Sequence, residues 1–255
     1  MTLRALLLGS MSALVLGLGA AAPASAQEGA AQDREAIEAI VRDYLIREPE
    51  VLLEALDALE AKRAAETQSA QSEAIESAEA ELVSTPDGTA LGNPDGDVTL
   101  VEFFDYNCGF CKRAHADMNA LIEGDPQLRV VLKEIPVLGP QSEEASRVSL
   151  AVREIAPQRY GEFQSALLSS ESTADEAEAL RIATGMGLDE AAVREALAGP
   201  AVTGALQESA RLASLLQING TPSYVVGDLL VPGAVGAETL SEYISNVREC
   251  GSASC

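Results

Sequence analysis

Cations and histidine are scarce in this sequence. There are 17 Lys and Arg against 40 Asp and Glu, for a formal charge of -23. So acidic a chain lacks the basic patches that attract nucleic acid or an anionic membrane surface, so neither is an expected partner. The acid reads as a solvated surface. Histidine occurs once, as His115, and cysteine four times. Structural zinc takes four ligands, as two C-x-x-C pairs or a C-x-x-C with histidines, so this supply counts against a metal site. After the first residues no apolar run approaches the roughly twenty residues that span a bilayer as a helix. No internal repeat is present.

The N-terminus is organised differently. Arg4 precedes Ala5-Leu6-Leu7-Leu8 and Ala13-Leu14-Val15-Leu16-Gly17-Leu18, and Ala24-Ser25-Ala26 follows. An early positive charge, a short apolar segment and a small-residue end predict a signal peptide, residues 1–26, cut after Ala26 and directing the chain to the periplasm. A membrane anchor is the alternative, for which the run is short. No cysteine lies near the cut to take a lipid. Removing the leader removes Arg4 and no acid, so the mature chain is more acidic still. In an exported protein an even number of cysteines is readable as disulfides. The spacings favour Cys108–Cys111 and Cys250–Cys255.

Residues 27–34 are polar and read as loose. From Glu35, helical spacing places Ile37, Ile40, Val41, Tyr44 and Leu45 on one face. Pro49 starts a second helix, striped by Leu52, Leu53, Leu56 and Leu59. Residues 62–83 are rich in Ala, Glu, Gln and Ser, with Ile75, Leu82 and Val83 as the large apolar residues. They predict an exposed connecting helix. Thr85-Pro86-Asp87-Gly88 and Asn93-Pro94-Asp95-Gly96 are turn clusters marking a boundary, with an N-terminal helical region and linker at 27–92 and a main domain at 93–255. Two short amphipathic helices bury their apolar faces most readily in a homo-oligomer; docking on their own domain is the other arrangement.

Within the main domain, residues 98–104 (Val-Thr-Leu-Val-Glu-Phe-Phe) read as a buried central strand. A helix opens at Cys108, and residues 128–135 form a second strand. A helical stretch over about 140–217 is broken by Pro157, Gly185, Gly187, Gly199 and Pro200. A hairpin over 223–231 turns at Gly227-Asp228, and a final amphipathic helix follows. The fold class is α/β: one small mixed sheet with a large helical insertion.

The chemistry centres on Cys108-Gly109-Phe110-Cys111. A C-x-x-C that follows a strand and opens a helix places its first thiol where free N–H groups and the helix dipole stabilise a thiolate. Cys108 is the expected nucleophile and Cys111, one turn in, the resolving thiol. A structural disulfide is the competing reading; its loop is so small that it would stabilise little. Glu102 interrupts the apolar strand. A buried carboxyl there has a raised pKa and can carry protons for Cys111; a solvated strand end is the alternative. Lys133 is its candidate countercharge, and His115, two turns after Cys108, a candidate tuning group. Gly220-Thr221-Pro222 opens a strand, and a cis bond at Pro222 would offer the Thr221 backbone to an extended peptide. The isomer is open at the level of sequence. Gly109 and Phe110, between the cysteines, complete the expected substrate contact. No cofactor beyond the dithiol is needed.

The segment from Val101 to Cys111, together with Gly220-Thr221-Pro222, resembles the DsbA family of thioredoxin-fold thiol–disulfide oxidoreductases. The leader Asp43-Tyr44-Leu45 to Glu48-Pro49-Glu50-Val51-Leu52 is similar to the N-terminal segment of its longer, ScsC-like members. The resemblance implies a thioredoxin-like fold with an inserted helical domain, preceded by an N-terminal helical extension. It implies a cis Pro222, Cys108 as nucleophile, Cys111 as resolving thiol and Glu102 as buried acid. Expected partners are exported or unfolded protein substrates and a membrane redox partner. Gly109-Phe110 and Thr221 stand where the DsbA oxidase typically has Pro-His and Val. They look more like the DsbC-type isomerases, which also have a dimerising N-terminal region. A non-catalytic envelope binding module, or a holdase chaperone, is the reading from another class.

Overall fold

The computed structural model describes residues 24–255, with side chains described from residue 33. The leader expected at 1–26 falls, apart from its last residues, outside the described residues. The chain divides into two compact units between Lys62 and Arg63.

The first unit holds α1 (Ala24–Arg47) and the start of α2 (Glu50–Leu82). Helix α1 begins at Ala24, so residues 27–34, read as loose, are helical; their Ala, Gln and Glu are strong helix formers. The apolar stripes are solvent-facing: Ile40 is 68% and Leu53 62% exposed.

The second unit contains the rest of α2, and here the sequence expectation is corrected. Ile75, Ala78 and Leu82 are buried against the sheet, so residues 71–82 dock on the core, whereas residues 63–70 are exposed as expected of a connector. Small alanines let the helix lie close, and three apolar residues at helical spacing suffice to cover a narrow sheet. The unit boundary accordingly lies about one helix before the turn clusters.

The sheet is formed by β1 (Leu91–Gly92), β2 (Val98–Phe104), β3 (Leu128–Glu134), β4 (Ser223–Val226) and β5 (Leu229–Pro232), ordered β1-β3-β2-β4-β5. Strand β2 runs parallel to β3 and antiparallel to β4; the pairs β1–β3 and β4–β5 are antiparallel. The two-residue β1 carries too little pattern to be read from sequence. Alternation sorts the strands onto two layers. Leu100, Phe104, Val130, Leu132 and Tyr224 face the layer of α3 (Gly109–Gly124) and α9 (Ala237–Cys250). Val101, Phe103, Val131 and Val225 face α2 and α8 (Pro200–Leu215).

Helices α4 (Pro140–Ile155), α5 (Tyr160–Leu168), α6 (Glu176–Gly185), α7 (Glu190–Leu197) and α8 form the insertion. Proline opens α4 and α8, where its missing N–H costs nothing, and Asp175 and Asp189 accept from Glu178 N and Ala191 N at the starts of α6 and α7. Helix α9 ends at Gly251 with φ 83°, a left-handed cap that suits glycine. Cys250, its last residue, forms a disulfide with Cys255, and Ala253 between them is buried with its N–H on Asp228.

Candidate active site

Every residue of the turn between β2 and α3 is held from outside the turn. Asp105 is fully buried. Its Oδ1 accepts from Asn107 N at 2.7 Å and Ser142 Oγ at 2.8 Å, and its Oδ2 from Leu138 N at 3.0 Å. The Tyr106 hydroxyl lies 2.6 Å from Ser149 Oγ, and its ring packs edge-on to Phe104. Asn107 behaves as a short strand: its Oδ1 accepts from Ala174 N and its Nδ2 donates to Ala174 O, each at 2.8 Å. Ser142 and Ser149 lie on α4, and Ala174 precedes α6. The helical insertion therefore fixes the backbone that delivers Cys108.

Cys108 is the N-cap of α3 and is 6% exposed. Its thiol donates to the Thr221 carbonyl at 3.1 Å. The Thr221–Pro222 bond is cis, and Pro222 O accepts from Gly233 N at 2.8 Å, tying this loop to the end of β5. Cys111 is wholly buried, and both cysteines are free thiols. Burial pushes the Cys111 thiol far above its ordinary range, with the Asp105 backbone opposing and Cys108 and Glu102 adding to the rise.

Glu102 is 3% exposed and lies on the Cys111 side of the sheet. Burial raises its carboxyl from an ordinary 4.5 to about 8, and the hydroxyl of Tyr224, its neighbour on β4, restrains the rise. Lys133 is not its partner. In the parallel register Glu102 sits beside Leu132 and Phe103 beside Lys133, which puts the lysine on the opposite face. There its Nζ donates to Glu208 Oε1 at 2.6 Å and to the carbonyls of Glu81 and Ser84 at 2.9 and 3.0 Å. His115 makes its hydrogen bonds with groups other than the thiols. Its Nε2 meets Ser165 Oγ at 2.9 Å and Asn119 Nδ2 at 3.2 Å, and burial lowers its pKa, disfavouring the charged form.

A groove of about 480 Å³ borders the cis loop, lined by Phe110, Asn219, Thr221, Pro222, Gly233 and, from α2, Gln71. Phe110 is 59% exposed, with the Arg113 guanidinium stacked 4.3 Å above its ring. Val137 and Leu138, which follow β3, are also exposed. A larger groove of about 850 Å³ between the β3–α4 loop and α8 touches neither cysteine. Among the described residues no cluster of His, Cys, Asp or Glu could hold a metal ion.

The structure thus brings together Cys108, Cys111, Glu102, Thr221 and Pro222, with Gly109 and Phe110 at the mouth. Sequence reasoning missed Asp105, Asn107 and Tyr224. Asp and Asn are ordinary turn formers, and the role of the first two depends on partners 33 to 67 residues away. Alternation along 223–226 could have placed Tyr224 on an inner face, but not opposite Glu102.

A family model of the DSBA-like thioredoxin domain matches residues 99–245. The chain belongs to that family. Its DSBA-like domain carries the family's thiol–disulfide exchange fold, and residues 33–66 match a second model, the copper resistance protein ScsC N-terminal domain. A thioredoxin-like oxidoreductase from Silicibacter pomeroyi DSS-3 is 42% identical with a TM-score of 0.63, over 67% of this chain and 97% of that one. Proteus mirabilis ScsC in a transitional conformation is 30% identical with a TM-score of 0.62, over 85% of this chain and 97% of that one. Among curated proteins, the Na(+)/H(+) antiporter NhaA 3 of Salinispora tropica is 27% identical over 159 residues, 61% of this chain. The chain spans about a quarter of the length of the curated relatives it matches. Among the described residues of this chain, no helix is long and apolar enough to cross a membrane.

Proposed function

We propose that this DSBA-like protein is a periplasmic thiol–disulfide oxidoreductase acting on exported or unfolded proteins through Cys108 and Cys111. The observation that carries the reading is the Cys108 thiol at a helix N-cap, 3.1 Å from the carbonyl of the cis Thr221–Pro222 bond. Cys108 is the nucleophile and Cys111 the resolving thiol, with Glu102 taking the Cys111 proton. Thr221 and Pro222 align an extended peptide beside the sulfur, and Phe110 gives it an apolar surface. In the oxidising direction, a substrate thiolate attacks the Cys108–Cys111 disulfide and a second substrate thiol displaces Cys108. The substrate gains a disulfide, and the two protons and two electrons rest on the enzyme dithiol until a membrane redox partner removes them. The test is insulin reduction and refolding of scrambled ribonuclease: Cys108→Ala should abolish both, and retained activity refutes the assignment.

Gly109-Phe110 and Thr221 favour isomerisation over dedicated oxidation, and so does the first unit. Its exposed stripe, including Ile40, Leu53 and Leu56, supports self-association, which would set several dithiols around one misfolded chain. Leu53→Glu with Leu56→Glu in the full chain should lower the mass in solution and the isomerase activity while sparing insulin reduction. An unchanged mass refutes the oligomer.

A further inference from the structure

The β2–β4 pairing sets one residue directly against the buried acid. In the antiparallel register Glu102 faces Tyr224, and both side chains are buried on the same side of the sheet. On its other flank Glu102 has Leu132, which offers no charge or hydrogen bond. The strand lysine that could have served as countercharge is turned to the far face and held by Glu208. Glu102 on β2 is the residue paired with Tyr224, and Cys111 and Asp117 on α3 are the other titratable groups whose charge acts on its hydroxyl. Tyr224 is also two residues beyond Pro222, so the segment that would align the substrate also carries this hydroxyl.

We propose that Tyr224 is the positioning residue for the proton acceptor of the resolving step: its hydroxyl stands in for a cationic partner and keeps the Glu102 carboxyl turned toward Cys111. The proposal rests on the exchange reading above. When Cys108 is joined to a substrate sulfur, Cys111 gives its proton to Glu102 and its sulfur attacks Cys108 Sγ. The Cys108–substrate bond breaks, the electron pair leaves with the substrate thiolate, and the Cys108–Cys111 bond forms. Glu102 can take that proton only as a carboxylate. A phenol that donates to the carboxylate stabilises this form inside an apolar layer, and a phenylalanine would not.

The test uses the full chain with Tyr224→Phe, which keeps the ring, and a second variant with 3-fluorotyrosine at position 224, a stronger donor. Two quantities are read: the Glu102 carboxyl titration in the reduced protein by carbon-13 NMR, and the resolution rate of a Cys108 mixed disulfide against pH. Tyr224→Phe should raise the Glu102 midpoint by about 0.5 to 1 pH unit and slow resolution at pH 7 about three- to tenfold. Fluorotyrosine should move both in the opposite direction. A packing role would not reverse sign between the two variants. An unmoved midpoint with exchange intact overturns the role of Tyr224 and leaves the exchange reading standing. A wild-type protein that forms no mixed disulfide overturns both.

Discussion

Replacing Glu102 by Gln should give the reduced protein an advantage in stability over the wild type that grows as the pH rises. The folded protein holds the Glu102 proton up to about pH 8, while an unfolded chain releases it near 4.5. Between these values the folded state binds more protons than the unfolded state. The contribution of Glu102 to stability is therefore fully present below pH 4.5, falls across the interval, and is lost once the pH passes 8. A carboxyl moved that far is linked to about 4 to 5 kcal/mol, a large part of the stability of a domain. Glutamine resembles the protonated acid and does not titrate. The two proteins should differ little at pH 4, and the variant should be ahead by about 4 kcal/mol at pH 9. Urea unfolding of both at pH 4, 6, 8 and 9, under reducing conditions, measures the difference. Glu134, also pushed up by burial, to about 7, titrates in both proteins and cancels. A stability difference that does not change with pH would refute the buried, uncompensated carboxyl.

Three further outcomes follow from named contacts. Leu82→Ala should cost about 2 to 5 kcal/mol in urea unfolding, because Leu82 is 1% exposed against the sheet; a cost within about 0.5 kcal/mol would return residues 71–82 to the role of an exposed connector. Lys133→Met should leave the Glu102 titration midpoint in place by NMR, since the lysine serves Glu208 on the far face; a rise would place it beside Glu102 after all. Asn107→Ala should lower stability by about 1 to 3 kcal/mol and shift the Cys108–Cys111 reduction potential against glutathione. Asn107→Asp, which keeps the acceptor for Ala174 N, should recover part of both, and an unaltered potential would mean that the insertion does not position the thiols.

Chemistry written in consecutive residues was legible in the sequence. Cys108 through Cys111 after an apolar strand, and Thr221-Pro222 before another, need only local order to be recognised, because a helix start and a turn are made within a few residues. The amphipathic stripes from Ile37 to Leu59 were legible for the same reason. The docking of residues 71–82 was not, because their alanines carry no periodic signal until the sheet to be covered is known. Tertiary structure also decided which polar groups meet. A side chain on a strand faces one layer or the other, so the register that set Phe103 beside Lys133 separated the lysine from Glu102. Tyr224, more than a hundred residues along the chain, was put in its place by the same sheet. Pairing across a sheet is a long-range property, and no spacing within either strand encodes it.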